Sequence, residues 1–312
     1  MPTYVVTGGC GFIGSHLVEA LRRDGHAVRV LDDLSTGHRH NLPADVPLVV
    51  GDIRDRDAVA AVLEGADGCF HLAAIASVER GVRDWPGTHT VNLSGTITIL
   101  DVIRARPTPI PLVYASSAAV YGDCPELPLE ETSRPTPLSA YGADKLGSEQ
   151  HSRVGHAVFN IPSVGLRFFN VYGPRQDPHS PYSGVISIFC DRLLRGVPAT
   201  IYGDGEQTRD FIAVADVIAA VLAAMKHAQR AGGASVFNVC TGVPVSVRAL
   251  GETIARLAGV VPDLREGPPR AGEIRHSVGR PDKARDALGL PPPRSLETGL
   301  AAVLEWLRAS EA

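Results

Sequence analysis

Short apolar segments alternate with longer segments of mixed polarity through the first half of the chain. The apolar segments predict strands at residues 3–7, 27–31, 47–50, 68–72 and 110–115, with helices between them. A further strand is predicted at residues 163–169. Strands that alternate with helices are typical of an α/β protein with a doubly wound parallel sheet.

A glycine-rich turn, Gly8-Gly-Cys-Gly-Phe-Ile-Gly14, follows the first predicted strand. Gly9, Gly11 and Gly14 match the pattern GxGxxG, and Gly8, Gly11 and Gly14 match its variant GxxGxxG. Glycines permit a tight turn and the close approach of a pyrophosphate to the next helix, whose free N–H groups and dipole favour an anion. The turn therefore predicts a dinucleotide site on a Rossmann-type sheet.

Two acidic residues, Asp32 and Asp33, end the second predicted strand. A carboxylate roughly 20 residues beyond the glycines accepts hydrogen bonds from the adenosine ribose hydroxyls. Because it would repel a 2′-phosphate, NAD is predicted in preference to NADP. A glycine turn without a ligand is the alternative, but the strand, the helix and the acidic residues all stand where a dinucleotide needs them.

The composition limits the possible partners. With 312 residues, 44% of them hydrophobic, the chain can bury one large core or two smaller ones. A formal net charge of -4 and the lack of a basic block argue against a nucleic-acid partner, and no apolar run is long enough to span a membrane. The first strand starts too early to leave room for a signal peptide, and the five cysteines have no CxxC spacing. We therefore expect a cytoplasmic protein with reduced thiols and no metal site.

The second half of the chain has shorter elements separated by proline-rich and glycine-rich segments. We predict an NAD-binding domain at residues 1–172 and a smaller, interleaved C-terminal α/β substrate domain at 173–312. Segments near 211–240 are expected to return to the first domain, and a helix at 296–307 is expected to serve packing.

Tyr141 and Lys145 are four residues apart in a predicted helix, so their side chains share one face. An ammonium close to a phenol favours the phenolate and lowers its pKa, which produces a usable general base. The spacing alone is weak, because any solvated helix can carry it.

Five ordered motifs together resemble the extended short-chain dehydrogenase/reductase superfamily, and within it the NAD-dependent nucleotide-sugar epimerases typified by UDP-glucose and UDP-N-acetylglucosamine 4-epimerases. The motifs are the segments 7–14, 114–122, 141–145, 167–174 and 203–211, and the similarity covers essentially the whole chain. The resemblance implies that Tyr141 removes the proton of the sugar 4-hydroxyl, Lys145 lowers its pKa and holds the nicotinamide ribose, and Ser117 hydrogen-bonds the same hydroxyl. Hydride would pass from C4 to bound NAD and return to the opposite face of a rotated 4-keto sugar. Taken alone, Ser117 would be interpreted as a hydroxyl that caps its own loop.

The resemblance also implies two sets of binding residues. Those expected at NAD are Gly8, Gly11, Phe12, Ile13, Gly14, Asp32, Asp33, Asp52, Ile53, Ala73, Ala74, Asn92, Ser116, Tyr141, Lys145 and Phe168. Those expected at the UDP-sugar are Ser77, Ser117, Tyr141, Asn170, Gly184, Val185, Tyr202, Arg209, Arg270, Glu273 and Ser277. Arg209 and Arg270 would hold the diphosphate, although a surface salt bridge is the ordinary role of a single arginine.

Three positions bear on the reaction and the sugar. Sugar 4,6-dehydratases and related decarboxylases carry acidic residues where Ala118 and Ala119 follow Ser117, so elimination is poorly supported. Ser277 stands where a tyrosine restricts the pocket to unacetylated hexoses, so we expect UDP-Glc and UDP-Gal to be joined by UDP-GlcNAc and UDP-GalNAc. The alternative is a loop backbone that shifts to close the gap at Ser277.

Other functions remain open at this point. A UDP-glucuronate 4-epimerase typically has an arginine and a threonine where this chain has Asp177 and Asn170, and an aspartate would repel a uronate. An oxidoreductase that releases reduced cofactor could use the same tyrosine–lysine pair, and a non-catalytic binding module could share the fold. The family also implies a homodimer formed through the helices at 93–102 and 146–154.

Overall fold

The structure, a computed structural model, describes residues 1–180, 184–269 and 274–311. The strands are β1 (Thr3–Thr7), β2 (Ala27–Asp32), β3 (Leu48–Val50), β4 (Gly68–His71), β5 (Leu112–Ser117), β6 (Ser163–Phe168), β7 (Asn170–Tyr172), β8 (Ala199–Tyr202), β9 (Thr208–Ala213), β10 (Ala234–Val239), β11 (Pro244–Ser246), β12 (Leu264–Gly267) and β13 (His276–Ser277). The helices are α1 (Phe12–Arg23), α2 (Arg56–Leu63), α3 (Val78–Arg83), α4 (Trp85–His89), α5 (Gly95–Arg104), α6 (Ala140–Phe159), α7 (Val185–Leu194), α8 (Val214–Ala231), α9 (Val247–Ala258), α10 (Asp282–Leu288) and α11 (Leu296–Glu311).

Seven parallel strands form the main sheet, in the order β10-β6-β5-β4-β1-β2-β3. Successive side chains of a strand point to opposite faces, and both faces are apolar here. Val6 lies in the core that contains α1 and α8, whereas Val5 lies in the core that contains α2 and α5. The predicted Rossmann-type doubly wound sheet is therefore confirmed.

The fifth strand differs from its predicted bounds of 110–115. It runs from Leu112 to Ser117, because its ladder with β6 continues through the pair Ser117–Phe168. Ser117 is therefore the last residue of a central strand, where parallel α/β sheets place their ligands.

The second core lies among α7, α9, α11 and the strands after residue 199. In this region β9 pairs with β7, β11 and β13, and β8 pairs with β12. The predicted C-terminal packing helix is α11, which contributes Leu300, Val303 and Leu304 to this core.

The two cores share the later part of the chain. Helix α8 packs on the main sheet and β10 forms its edge beside β6, whereas Phe211 belongs to β9 and the smaller sheet. Ala284 of α10 is also buried in the first core. Within the described part of the chain, none of the helices is long and apolar enough to cross a membrane.

Candidate active site

The glycine turn after β1 is closely packed. Gly8 has φ of +71°, and a Cβ at Gly14 would lie 2.1 Å from the Gly8 carbonyl oxygen. A Cβ at Gly11 would meet only that same oxygen, at 3.3 Å. Gly8 and Gly14 are therefore required by the turn itself, whereas Gly11 leaves room beside the helix for a bound group.

Helix α1 begins at Phe12 with Gly11 as its N-cap, and no described side chain caps it. Its first turn contains no acidic residue. The N–H groups of Phe12, Ile13 and Gly14 have no partner within the helix, because the first turn of any helix lacks them. These donors, together with the helix dipole, fit a pyrophosphate.

Asp32 and Asp33 take different roles at the end of β2. The buried carboxylate of Asp32 accepts hydrogen bonds from the N–H groups of Cys10, at 2.8 Å, and Leu34, at 2.9 Å. Burial raises the pKa of Asp32, while these two bonds oppose the rise. Asp33 is exposed and accepts hydrogen bonds from Ser35. Asp32 therefore fixes the glycine turn, and its contact with the ribose stays a prediction.

Other residues expected at NAD line the same edge of the sheet. Hydrogen bonds from Arg54 lower the pKa of Asp52, and Ile53 is buried against α5 at Gly95. Ala73 and Ala74 follow β4, and the backbone of Ala73 lies against Gly8.

Asn92 and Ser116 direct their polar groups to the protein. The side chain of Asn92 accepts from the N–H of Ile75 and donates to its carbonyl, at 2.8 and 3.1 Å. It lies in a π-helical segment, Thr90–Ser94, a feature often found at functional sites. Ser116 donates to Glu149 at 2.6 Å. Both side chains therefore have partners within the protein, and their roles at NAD stay predictions.

Ser117 ends β5, and its hydroxyl accepts a hydrogen bond from the Ala119 N–H at 3.1 Å. The same hydroxyl is close enough to the Tyr141 phenol, in the first turn of α6, to lower its pKa. Lys145 follows one helical turn later, with its Nζ 5.8 Å from the centre of the Tyr141 ring. Gly142 makes the approach possible, because a Cβ there would lie 2.5 Å from the Ala119 carbonyl oxygen. Sequence reasoning missed Gly142, although it stands beside Tyr141.

Burial determines the pKa values of this pair. It raises the pKa of the Tyr141 phenol, and the polar hydroxyl of nearby Ser117 opposes the rise. Burial also lowers the pKa of Lys145 to about 8, against the attraction of Asp144. The protein groups alone thus do not produce the lowered phenol pKa that the tyrosine–lysine spacing predicts. Lys145 forms no hydrogen bond to the described residues, so its N–H donors are available to a ligand.

Strand pairing brings several expected sugar-nucleotide residues together. Phe168 is the register partner of Ser117, and Asn170 begins β7 two residues later. Strand β7 pairs with β9, which carries Arg209, and Arg209 is the register partner of Ser277. A path of neighbouring strands therefore leads from Ser117 to Ser277.

The remaining expected sugar-nucleotide residues lie on other elements. Ser77 is buried and caps α3, which packs against the start of α6. Gly184 and Val185 begin α7, and Tyr202 ends β8. Arg270 and Glu273 lie outside the described residues.

The comparisons with known proteins agree with this geometry. The family described as NAD dependent epimerase/dehydratase matches residues 4–240. The chain belongs to this family. The UDP-glucose 4-epimerase of Mycolicibacterium smegmatis is 38% identical, over 97% of this chain and 98% of its own length.

Two solved structures of high similarity are also epimerases. UDP-glucose 4-epimerase from Thermotoga maritima with UDP-glucose has a TM-score of 0.94 and 35% identity, over 99% of this chain and 100% of that one. UDP-N-acetylglucosamine 4-epimerase from Methanobrevibacter ruminantium has a TM-score of 0.93 and 33% identity, over 99% of both chains. NAD is the cofactor of this epimerase/dehydratase family. The open space beside Gly11 and the uncapped N-terminus of α1 fit its pyrophosphate.

Proposed function

We propose that the chain is a UDP-hexose 4-epimerase that interconverts C4 epimers of UDP-sugars with bound NAD. The observation that carries the proposal is the cluster of Ser117, Tyr141 and Lys145, in which the Lys145 Nζ lies 5.8 Å from the centre of the Tyr141 ring and the Ser117 hydroxyl lowers the pKa of the phenol. This cluster lies at the same sheet edge as the glycine turn, because Ser117 and Thr7 both end parallel strands. The glycine turn would hold the NAD and Tyr141 would hold the sugar, both at this edge of the sheet.

The residues of the chain would divide the proton chemistry between them. When bound, NAD would supply a reversible hydride acceptor for C4. Tyr141 removes the proton of the 4-hydroxyl and returns it at the end of the cycle. Ser117 orients that hydroxyl, and the charged Lys145 favours the phenolate and holds the nicotinamide ribose.

The two residues after Ser117 support epimerisation over elimination. Ala118 and Ala119 are partly exposed at the loop that follows β5, and alanine exchanges no proton. Dehydration would need an acid and a base near C5 and C6, whereas the return of hydride to C4 needs neither.

We further propose that 2-acetamido sugars are accepted. Ser277 pairs with Arg209, and the N–H of Gly279, two residues later, donates to the buried Asp210. These bonds hold the backbone at Ser277, which argues against a shift that would fill the space left by a small side chain. The similarity to UDP-N-acetylglucosamine 4-epimerase from M. ruminantium adds support.

A UDP-glucuronate 4-epimerase is the less favoured function. Asp177 is exposed in the loop after β7, and its carboxylate would repel the carboxylate of UDP-glucuronate. An oxidoreductase would consume free NAD, so turnover without added cofactor separates it from an epimerase.

The test uses purified protein and four pure substrates: UDP-Glc, UDP-Gal, UDP-GlcNAc and UDP-GalNAc. We expect mass spectrometry to find NAD released on denaturation, and NMR to follow conversion of each sugar to its C4 epimer without added cofactor. Tyr141→Phe should lower kcat by about 100-fold or more, because it removes the base. Tyr4→Phe is the matched control, since Tyr4 lies at the start of β1, at the end opposite to the glycine turn, and its hydroxyl accepts only from Gln229 among the described residues.

Two results would contradict the proposal. Failure to convert any of the four substrates excludes the 4-epimerase, and full activity of Tyr141→Phe excludes the mechanism. Conversion of UDP-Glc and UDP-Gal alone excludes only the acetylated substrates.

We also propose a homodimer formed through α5 and α6. Ile97 on α5 and Val154 and Val158 on α6 are exposed, at 37%, 53% and 62%. Burying them against a second copy would remove apolar surface from water. Light scattering should give twice the chain mass, and the double variant Val154→Glu/Val158→Glu should give the single mass. A single mass for the unmodified protein would contradict the dimer.

A cytoplasmic location remains part of the proposal. All five cysteines are unpaired in the structure, namely Cys10, Cys69, Cys124, Cys190 and Cys240. Free thiols are typical of a reducing compartment. Fractionation of cells that produce the protein tests the location.

A further inference from the structure

A fully buried ion pair ties the catalytic helix to the main sheet. Glu149 on α6 accepts two hydrogen bonds from Arg167 on β6, at 2.8 and 2.7 Å, and a third from Ser116 on β5, at 2.6 Å. The side chains of Arg167 and Glu149 are 5% and 0% exposed. Glu149 lies one turn beyond Lys145 and two turns beyond Tyr141, whereas Ser116 precedes Ser117.

The network continues from Arg167 towards the smaller domain. The third guanidinium nitrogen of Arg167, Nη1, donates to the Tyr121 hydroxyl at 2.8 Å, and Tyr121 donates to the Asn238 side-chain oxygen at 2.6 Å. Asn238 in turn donates to the Leu129 carbonyl at 2.9 Å, and its own N–H donates to Glu131 at 2.7 Å. Tyr121 and Asn238 are both fully buried.

The last link reaches the wall of the expected sugar pocket. The Leu129 N–H donates to the Val278 carbonyl at 2.8 Å, and the Arg280 N–H donates to the Leu129 carbonyl at 2.8 Å. Val278 directly follows Ser277. A continuous set of hydrogen bonds therefore joins the helix of Tyr141 to the strand of Ser277.

We propose that Glu149 and Arg167 are positioning residues, which hold Ser117 at the end of β5 beside Tyr141 on α6 and couple that pair to the sugar wall at Ser277. The inference rests on the proposed epimerase function, because it concerns the alignment of the same site. Neither side chain touches the reacting atoms, so both act through Ser116, Ser117 and α6.

Stability alone does not account for such a pair. A buried ion pair is often no more stabilising than well-packed apolar side chains of similar volume, whereas loss of one partner leaves an unpaired charge. Three bonds in fixed directions instead set the position of α6 relative to the ends of β5 and β6. Small displacements at a catalytic pair can lower the rate by large factors.

The experiment replaces both charges at once, with Glu149→Met/Arg167→Met, to avoid leaving one buried charge. We expect kcat to fall about 10-fold or more, because Ser117 and Tyr141 are no longer held in register. We expect KM to stay within about twofold and the bound NAD to remain stoichiometric, since neither residue lies at the diphosphate or the glycine turn. Among single variants, Arg167→Lys should retain more kcat than Arg167→Met.

Two controls match the perturbation. Glu297→Met/Arg256→Met removes an exposed ion pair between α9 and α11 and should leave kcat unchanged. Leu304→Ala destabilises that core without touching the network, so it shows how kcat responds to lost stability alone.

Hydrogen exchange supplies a readout that does not need turnover. The N–H groups at 117–121 and 139–146 should exchange about 10-fold faster or more in the double methionine variant, while those at 300–307 stay unchanged. Wild-type kcat in that variant, or a loss equal to that of Leu304→Ala at matched Tm, overturns the inference. If the wild-type protein converts no UDP-sugar, the proposed function fails, and unchanged exchange at these segments then overturns the positioning role independently.

Discussion

Replacing His71 tests how burial controls charge beside the catalytic helix. His71 ends β4, is 2% exposed, and lies between Thr7 at 2.8 Å from Nδ1 and Thr96 at 3.1 Å from Nε2. Since the Thr96 hydroxyl donates to the Asn92 carbonyl, Nε2 carries the imidazole proton and Nδ1 accepts from Thr7. Burial, together with the nearby Lys145, lowers the pKa of His71 to about 3.

The sign of the effect on stability follows from proton counting. Below pH 6.5, the ordinary pKa of histidine, the unfolded chain binds a proton at residue 71, whereas the folded protein does not until about pH 3. The folded protein therefore loses stability as the pH falls through this window. At about 1.4 kcal/mol per pH unit, the loss between pH 6.5 and pH 5 is roughly 2 kcal/mol.

His71→Gln removes the titrating group and leaves a donor for Thr96. At pH 7.5 we expect the variant to be about 1–3 kcal/mol less stable, because Thr7 loses its acceptor. At pH 5 the difference in stability should shrink by roughly 2 kcal/mol. Only the wild-type chain has a histidine at residue 71, which binds a proton at pH 5 when the chain is unfolded but not when it is folded. Urea unfolding followed by circular dichroism at a series of pH values measures both quantities.

The exposed residue His151 supplies the control. His151→Gln makes the same substitution on the exposed face of α6, so it should change the stability at pH 7.5 by less than about 0.5 kcal/mol. Parallel curves for His71→Gln would refute the argument, since they would mean that residue 71 binds the same number of protons in both states.

Three further predictions concern the site. Gly142→Ala should lower kcat about 10-fold or more with little change in KM, measured by steady-state kinetics, because its Cβ would lie 2.5 Å from the Ala119 carbonyl oxygen. Gly11→Ala should fold normally, because its Cβ would lie 3.3 Å from the Gly8 oxygen, but it should lose bound NAD, which mass spectrometry measures. Gly14→Ala should lower Tm, measured by thermal unfolding, because its Cβ would lie 2.1 Å from the same oxygen. In pH–rate profiles, kcat/KM should fall as the pH rises through about 8, because Lys145 loses its charge there; a rate that stays constant to pH 10 contradicts this role.

The sequence by itself determined the contacts between residues that are close along the chain. The glycine turn, the helix that follows it and the acidic pair at Asp32 lie within about 25 residues of one another, so residue spacing is enough to predict a dinucleotide site. The tyrosine–lysine spacing likewise needs only the period of a helix, since residues four apart share one face. The alternation of apolar and mixed segments predicted the parallel sheet, because the order of strands and helices along the chain is enough to indicate that fold class.

The tertiary structure decided the relations between distant segments. Strand register carried β5 as far as Ser117, and it placed Arg209 beside Ser277, 68 residues apart. The sequence does not indicate that Glu149 pairs with Arg167, because a charged residue is recognised as buried only once its surroundings are known.

Burial also reversed one expectation drawn from residue types. The spacing of Tyr141 and Lys145 predicts a lowered phenol pKa, yet desolvation raises it and lowers that of the amine. The cost of removing a charge from water depends on everything packed around it, and that environment exists only in the folded protein.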